Sequence, residues 1–358
     1  MKIVTVVGAR PQFIKAAAMS RVLRQSHTEI LVHTGQHYDP MMSDVFFKEL
    51  NIPKPDYNLG IAGGSHAEMT ARMLTAVDDT LSWEKPDALL VYGDTNSTLA
   101  AALAAVKRRI PILHVEAGNR LHTLHNPEEV NRILTDHMAA MLFACVPSAM
   151  EELKKENLRD HAWLVGDPMY DAFRFYRDSG KAEKPVQLTG VQGENVTVQE
   201  RYCYLTCHRE ENTRDARNLS QVLQAMEQLE IATLYPVHPR NREMVMRLRD
   251  QLHLQNVKLL SPLGYLQSIA MVSHAEQVVT DSGGVQREAY FAQVPCVTVF
   301  DYAVWPETMH DNCNQLAKPD AADIIKKLQA KPVFRQEENP FGDGHACEKI
   351  VSIIHETL

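Results

Sequence analysis

The chain lacks long apolar runs and blocks of like charge, and each absence excludes a class of protein. No apolar stretch approaches the roughly 20 residues that cross a membrane, and residues 8–11 interrupt the apolar N-terminus too early for a signal peptide. The net charge of -8 argues against general nucleic-acid binding and leaves room for a local cationic pocket. We therefore expect a cytoplasmic protein with neither a membrane nor a nucleic-acid partner.

Cysteines are few and do not form a recognisable framework. Six are scattered along the 358 residues, mostly within apolar runs, and they show no paired spacing of the kind that holds a metal. Disulfide frameworks belong to oxidising compartments and small secreted domains. We interpret these cysteines as small core residues.

Length and the alternation of apolar runs predict an α/β protein with two domains. The chain exceeds the roughly 250–300 residues at which a single core stops growing. Short unbroken apolar runs alternate with helical patterns, which indicates strands buried on both faces of a parallel sheet. The predicted strands cover residues 3–7, 29–33, 88–92, 110–115, 202–206, 232–237, 257–260 and 295–300, with another ending at Val279.

We predict two doubly wound, Rossmann-like domains that face each other across a cleft. The N-terminal domain covers residues 1–170 and the C-terminal domain covers residues 201–358. Residues 171–200 are polar and contain glycine, which indicates an interdomain linker. A further helix is predicted over residues 42–50.

Polar side chains follow several predicted strands of the first domain. Ligands of doubly wound sheets bind at the carboxyl ends of the strands. A single carboxylate at a strand end is usually a local cap, but several polar ends on one sheet edge predict a common binding cleft. These ends carry Arg10, Gln36, His37, Asp94 and Glu116.

Residues 280–284, Thr-Asp-Ser-Gly-Gly, lie between an apolar run and a helical pattern. Adjacent glycines allow a ligand to approach the backbone, Ser282 can cap the helix, and the helix N-terminus favours an anion. Such a corner binds phosphate, although glycines needed only for packing would give the same pattern. Glu288, one turn further, can accept both hydroxyls of a ribose or be a solvent-facing charge.

Cations elsewhere strengthen the phosphate interpretation. Arg10 and Lys15 flank the first strand-to-helix turn, and His208 and Arg209 close a strand of the second domain. Charge-assisted hydrogen bonds from these groups suit a diphosphate. Any one of them alone is more simply a surface arginine or a packed histidine.

The segment 126–132, Asn-Pro-Glu-Glu-Val-Asn-Arg, also has two interpretations. Asn126 can cap a helix whose first turn is acidic, and Glu128 and Arg132 have the spacing of an ordinary surface pair. A functional role requires a carboxylate of this segment to lie beside Glu116.

Six motifs together resemble one family. They are GARPQFIK from Gly8, GDT from Gly93, VEAG from Val115, PEEVNR from Pro127, His208-Arg209 with Glu211-Asn212, and TDSGGVQREA from Thr280. The chain resembles the non-hydrolysing UDP-N-acetylglucosamine 2-epimerases, and most closely the branch acting on UDP-2,3-diacetamido-2,3-dideoxyglucuronate. The resemblance implies a glycosyltransferase-B-like fold, usually dimeric, with a last helix that crosses back to the first domain.

The resemblance also implies a reaction and a set of site residues. UDP leaves first through an oxocarbenium-like transition state, a carboxylate removes the C2 proton, and the bound intermediate is reprotonated from the other face before UDP adds back. No metal or redox cofactor is required. The catalytic residues are expected to be Asp94, Glu116, Glu129 and His208. Residues expected to bind UDP are Arg10, Lys15, Arg132, Ser282, Gly283, Gly284 and Glu288. Residues expected near the sugar are Gln36, His37, Arg120, Glu128, Arg209, Asp301 and Trp305.

Spacing leaves open which of Glu128 and Glu129 faces the substrate, and we choose Glu129. Residues 300–305 lack an arginine and a glutamate common in the family, which predicts an altered sugar or pyrophosphate pocket. Asp39 replaces the glutamine of members that are activated by a second UDP-sugar, so we expect no such regulation. A hydrolysing epimerase, a glycosyltransferase of the same fold and a catalytically silent binding protein are the alternatives.

Overall fold

The computed structural model describes residues 1–36, 47, 49–335 and 339–358. They divide into two compact units, one formed by Met1–Arg174 with Asn339–Leu358 and the other by Phe175–Glu338. His37, Asp39 and most of the helix predicted over residues 42–50 lie outside the described residues.

The first unit is built on a seven-stranded sheet in which every described pairing is parallel. Its strand order is β3-β2-β1-β4-β5-β6-β7. The order reverses direction between β1 and β4, and in doubly wound sheets this switch point is where ligands bind. The strands are β1 (Lys2–Val7), β2 (Thr28–His33), β3 (Tyr57–Asn58), β4 (Ala88–Tyr92), β5 (Ile112–Val115), β6 (Met141–Ala144) and β7 (Ala162–Leu164).

Helices connect these strands, and in three of them the residue just before the helix stabilises its start. The Ser65 hydroxyl and Glu68 form a reciprocal capping box, the Thr95 hydroxyl accepts from the Thr98 N–H, and the Asn126 side chain accepts from the Glu128 N–H. These contacts pair backbone donors that would otherwise lack a partner. The helices are α1 (Arg10–Leu23), α2 (His66–Glu84), α3 (Asn96–Lys107), α4 (Pro127–Met138), α5 (Pro147–Lys155) and α6 (Pro168–Asp178).

Much of the segment expected to be a linker, residues 171–200, has regular structure. It contains most of α6 and an antiparallel pair, β8 (Gln187–Thr189) with β9 (Asn195–Thr197). Leu188 of β8 and Val198, which directly follows β9, are buried in a hydrophobic cluster of the second unit. Burial of these apolar side chains orders a stretch whose polar composition indicated a linker.

The second unit repeats the architecture with a six-stranded parallel sheet in the order β12-β11-β10-β13-β14-β15. Its strands are β10 (Tyr202–Thr206), β11 (Ala232–Pro236), β12 (Val257–Leu260), β13 (Gln277–Thr280), β14 (Cys296–Val299) and β15 (Asn314–Ala317). Its helices are α7 (Glu210–Thr213), α8 (Ala216–Glu227), α9 (Arg242–Leu252), α10 (Tyr265–Ser273), α11 (Gly283–Phe291) and α12 (Ala321–Leu328). The predicted α/β class with two Rossmann-like domains is confirmed.

The C-terminal helix α13 (Ala346–Thr357) belongs to the first unit and packs against α1. Its N-terminus is fixed by Asp171, whose carboxylate accepts from the Ala346 N–H at 3.1 Å and the Cys347 N–H at 2.7 Å. An acidic side chain at this position pairs free donors and complements the helix dipole. Asp171 therefore joins the last helix to the first unit.

The core explains both the strand pattern and the cysteines. All five residues of β4 are buried, as expected for a central strand covered on both faces. All six cysteines are buried, and burial raises the pKa of Cys296 to about 12. Within the described part of the chain, no helix combines the length and the apolarity needed to cross a membrane.

Candidate active site

A buried ion pair lies at the carboxyl edge of the first sheet. Glu116 directly follows β5, and its carboxylate pairs with the Lys15 ammonium group, which projects from α1. The two side chains are only 7% and 3% exposed. Glu116 has a φ of 69°, a left-handed conformation that costs energy in a residue with a side chain. This geometry brings together two residues that the sequence assigned to different roles.

Arg132 joins the ends of β4 and β5. Its guanidinium donates to the Asp94 carboxylate and to the Glu116 carbonyl oxygen, and lies 3.6 Å from Oε1 of Glu116. Burial alone would lower the pKa of Arg132, but the charges of Asp94 and Glu116 raise it. Arg132 was expected to bind UDP, and in the structure it lies between two candidate acid–base groups.

Gly93 allows these groups to lie close together. A Cβ atom at this position would lie 3.4 Å from Oε1 of Glu116 and 3.7 Å from Nζ of Lys15. Its φ of 62° is also in the left-handed region, which glycine adopts without strain. The turn after β4 therefore passes directly beside the ion pair.

The structure distinguishes the two adjacent glutamates of α4. Glu129 is buried, and its Oε1 accepts the N–H groups of Leu121 at 2.8 Å and His122 at 2.9 Å. Glu128 is exposed at the helix start. Glu129 is thus the inward glutamate, and it fixes the loop between β5 and α4.

Arg120 is committed to internal ion pairs. Its guanidinium contacts Asp136 at 2.7 Å and Glu156 at 2.7 and 2.9 Å, and its side chain is only 1% exposed. Burial opposes its charge, but the two carboxylates raise the pKa of Arg120. The sugar-side role expected for Arg120 is therefore not apparent in its contacts, which are structural.

Gln12 lies at the candidate site within the GARPQFIK motif, although the motif itself gave no sign of its individual role. Its Oε1 accepts from the N–H groups of Gly8 at 2.8 Å and Ala9 at 3.0 Å, and its Nε2 donates to the Tyr92 carbonyl at 2.8 Å. Gln12 thereby connects the ends of β1 and β4. A Cβ at Gly8 would lie 2.1 Å from the Ser97 Oγ, so only glycine fits there.

Gln36 and Arg10 lie near the same edge. The Gln36 Oε1 accepts from the Ser97 hydroxyl at 2.7 Å and the Ser97 N–H at 3.2 Å, at the start of α3. Arg10 is the first residue of α1 and is partly exposed. Both positions follow strands of the first sheet, as the strand-end argument predicts.

In the second unit, Asp281 organises the turn that carries His208 and Arg209. Its buried carboxylate accepts from the His208 N–H at 2.9 Å and the Arg209 N–H at 2.9 Å, and from the Asn212 amide at 3.3 Å. The Arg209 guanidinium lies 4.7 Å from the centre of the Phe300 ring. Asp281 lies within the predicted phosphate corner, yet its role here is to hold a neighbouring turn.

The phosphate corner has the geometry expected from the sequence. Ser282 caps α11, because its hydroxyl accepts from the Val285 N–H at 3.4 Å, and Gly283 and Gly284 form the partly exposed first turn. Trp305 is buried against this turn, with its Nε1 3.5 Å from an ideal Cβ on Gly283. The Arg287 guanidinium lies 4.0 Å from the Trp305 ring centre.

Glu288 is not a solvent-facing charge, because it is only 4% exposed. It lies near Tyr265, whose pKa is raised by burial and by the adjacent Glu288 carboxylate. Asp301, which was also expected near the sugar, is exposed at the end of β14. The structure thus gives Glu288, but not Asp301, a defined packed environment.

One group of side chains among the described residues has the spacing of a metal site. Ligand atoms of Glu116, Cys145 and Asp167, all buried, lie within 4.8 Å of one another. Glu116 is paired with Lys15, and the Asp167 Oδ1 accepts from the Met169 N–H at 2.8 Å to cap α6. Both carboxylates therefore have protein partners that fulfil structural roles.

The predicted site residues thus form two sets, each at the carboxyl edge of its own sheet. The first carries buried carboxylates and cations, and the second carries a glycine corner at a helix N-terminus. These features define an α/β enzyme of the Rossmann-like, nucleotide-binding class.

Residues 21–355 match the family model described as UDP-N-acetylglucosamine 2-epimerase. The chain belongs to this family, and it is an isomerase. It is 42% identical over 358 residues to a UDP-N-acetylglucosamine 2-epimerase homolog of Methanococcus maripaludis, covering 99% of each chain. It is 40% identical over 364 residues to the UDP-2,3-diacetamido-2,3-dideoxy-D-glucuronate 2-epimerase of Pseudomonas aeruginosa, again covering 99% of each.

A solved structure is similar over the same extent. The UDP-GlcNAc 2-epimerase of Methanocaldococcus jannaschii, in complex with UDP-GlcNAc and UDP, matches with a TM-score of 0.86 and 34% identity. The match covers 99% of this chain and 100% of that one. The family resemblance inferred from the six motifs is therefore confirmed.

Proposed function

We propose that this epimerase inverts C2 of a UDP-2-acetamido sugar by eliminating UDP, exchanging the C2 proton and adding UDP back. The substrate is UDP-N-acetylglucosamine or a 2,3-diacetamido uronate derivative. The observation that carries the proposal is the ion-paired group of Lys15, Glu116, Arg132 and Asp94, in which only the Asp94 side chain is partly exposed. The relatives from Methanocaldococcus jannaschii and Pseudomonas aeruginosa, named for these two substrates, support it.

The chemistry explains why carboxylates held by cations suit this reaction. The C2 hydrogen is not adjacent to a carbonyl group, so it becomes removable only when departure of UDP generates positive charge at C1. A base must then be ionised when the substrate arrives, and Lys15 and Arg132 stabilise the ionised form of Glu116. Transfer on two faces needs two acid–base groups, which we assign among Asp94, Glu116 and Glu129.

Leaving-group stabilisation falls mainly to the residues at the start of α11. The α11 N-terminus, with Ser282, Gly283 and Gly284, offers backbone donors and a positive dipole end to the diphosphate. His208 supplies a further donor to the departing phosphate, and the buried Glu288 accepts from the ribose hydroxyls. Arg10 is assigned to the diphosphate as well.

Three further features belong to the proposal. The enzyme acts as a homodimer, in the cytoplasm, and in polysaccharide biosynthesis. The resemblance to the family supports the dimer, and the nature of the sugar products supports the pathway. Size-exclusion chromatography with light scattering tests the oligomeric state.

Incubation of the purified protein with a panel of UDP-acetamido sugars in heavy water tests the function. NMR should reveal the C2 epimer and deuterium at C2, and Glu116→Gln should abolish both. Unchanged C2 stereochemistry without deuterium incorporation for every sugar would contradict the proposal. Release of UDP and free sugar identifies a hydrolysing enzyme, and consumption only after an acceptor is added identifies a glycosyltransferase.

A further inference from the structure

His114 lies in β5, two residues before Glu116, and both of its ring nitrogens make short contacts. Nδ1 lies 2.7 Å from Oδ1 of Asp136, and Nε2 lies 2.7 Å from the carbonyl oxygen of Gly93. The side chains of His114 and Asp136 are fully buried. Bulk water therefore does not compete for either contact.

The partners determine where the protons lie. A peptide carbonyl oxygen only accepts, so Nε2 must carry a proton. Asp136 also accepts from the Arg120 guanidinium at 2.7 Å and from the Gly118 N–H at 3.1 Å. Two donors besides His114 thus stabilise the ionised form of the Asp136 carboxylate. An ionised carboxylate only accepts, so Nδ1 must carry a proton too.

A neutral ring would leave one of these contacts without a hydrogen atom. One nitrogen lone pair would then face an oxygen lone pair at 2.7 Å in a fully buried position. Such a mismatch between buried polar groups destabilises the folded protein, because no water molecule replaces the missing hydrogen bond. The doubly protonated ring removes the mismatch at both ends.

His114 as a cation fits the pattern of ion pairs in this region. Each buried or half-buried cation of this region has a carboxylate within ion-pair distance. The cations are His114, Arg120, Arg132 and Lys15, and the carboxylates are Asp136, Glu156, Asp94 and Glu116.

We propose that His114 is a permanently protonated positioning residue for the C2 proton transfer, an inference that rests on the function proposed above. Its Nε2–H holds the Gly93 carbonyl, which belongs to the peptide leading into Asp94. Arg132 holds the Asp94 carboxylate and the Glu116 carbonyl from the other side. Together these two cations fix the ends of β4 and β5, and with them both candidate acid–base groups.

NMR of the wild-type protein labelled with ¹⁵N-histidine tests the protonation state independently of activity. The His114 signals, assigned by their loss in His114→Gln, should show two protonated ring nitrogens at neutral pH. His27 is an internal reference, because burial, the N-terminal amino group and His355 lower its pKa. An unprotonated nitrogen in His114 at neutral pH would overturn the inference.

Steady-state kinetics test the positioning role. The glutamine side chain is neutral, and it cannot donate to both the Asp136 carboxylate and the Gly93 carbonyl. His114→Gln should therefore lower kcat about 100-fold. KM should change less than about threefold, because the UDP-binding groups are untouched. C2 deuterium incorporation should fall in parallel with kcat. His27→Gln, also a buried histidine, should keep wild-type kcat.

The outcomes separate the two proposals. Wild-type kcat in a folded His114→Gln protein, or a loss expressed mainly in KM, would overturn the positioning role. If the wild-type protein epimerises no UDP-sugar, the proposed function fails, and the ring-nitrogen signals still decide whether His114 is a cation. If His114→Gln does not fold, His114→Asn is used to assign the His114 ring-nitrogen signals. Those signals in the wild-type protein then show whether both ring nitrogens carry protons, and an unprotonated nitrogen overturns the inference.

Discussion

Replacing Lys15 with methionine removes the cation from a buried ion pair. The Glu116 carboxylate then stays buried without its lysine partner. Breaking a buried pair by removing one partner costs about 3–5 kcal/mol. Glu116 retains the Arg132 guanidinium at 3.6 Å as a second cation. We therefore expect the lower end of the range, about 3 kcal/mol, with methionine filling most of the lysine volume.

Amide hydrogen exchange measured by mass spectrometry is a suitable assay, because it reports opening free energies for individual segments of a two-unit protein. Peptides covering β4 and β5 should lose about 3 kcal/mol of protection in Lys15→Met. Peptides of the second unit should be unaffected.

Two further variants make the test specific. The double variant Lys15→Met with Glu116→Gln removes both charges of this pair and should recover about 2 kcal/mol of the loss. Arg201→Met serves as the matched surface control, because it breaks an exposed ion pair with Glu276. The Arg201 side chain is 70% exposed and the Glu276 side chain is 41% exposed. That control should leave protection nearly unchanged, because exposed ion pairs contribute little. If Lys15→Met loses less than about 1 kcal/mol of protection, or the double variant recovers none, the buried ion pair does not stabilise these strands as proposed.

The remaining predictions concern Asp281, Glu129 and Asp136. Asp281→Asn places an amide group where three donors converge and should weaken UDP binding about tenfold by calorimetry; unchanged affinity would contradict the organising role. Glu129→Gln keeps an oxygen for the Leu121 and His122 N–H groups, so it should stay folded yet lose at least about 100-fold in kcat, whereas Glu128→Gln should be nearly silent. Full activity of Glu129→Gln would make Glu129 a loop anchor alone. His114 and Arg120 lower the pKa of Asp136 despite its burial, so its carboxylate contributes stability that is present above the unfolded pKa and is lost as pH falls through the folded pKa. Asp136→Asn should therefore be less stable than wild type to denaturation at neutral pH, and the difference should begin to shrink only as the pH falls below about 4.

Local sequence patterns predicted most of the fold because they depend on neighbouring residues. The unbroken apolar run at residues 88–92 is the fully buried strand β4. Ser282 caps α11 at the expected position, since its hydroxyl needs only the backbone three residues later. The polar composition of residues 171–200 was less informative, because a few apolar side chains were enough to order β8 and β9.

Side-chain pairing within the site was less predictable, since each pair joins residues far apart in the chain. Arg120 follows the VEAG motif and was expected near the sugar, but its partners are Asp136 and Glu156. Periodicity could not distinguish Glu128 from Glu129, and only the path of the loop before α4 makes Glu129 the inward residue. Asp281 and Gln12 lie within recognised motifs, yet their roles depend on which backbone donors the fold brings to them.

The α/β class and the epimerase family are readable from the amino-acid sequence, because strand and helix periods and the six motifs are local properties of the chain. Folding is needed to bring Lys15, Glu116, Arg132 and Asp94 into one charged group and to place His114 between Asp136 and Gly93. These contacts arise because strands β1, β4 and β5 are neighbours in the parallel sheet, which places the carboxyl ends of distant segments side by side. Burial there makes each charge depend on a partner that sequence spacing does not reveal.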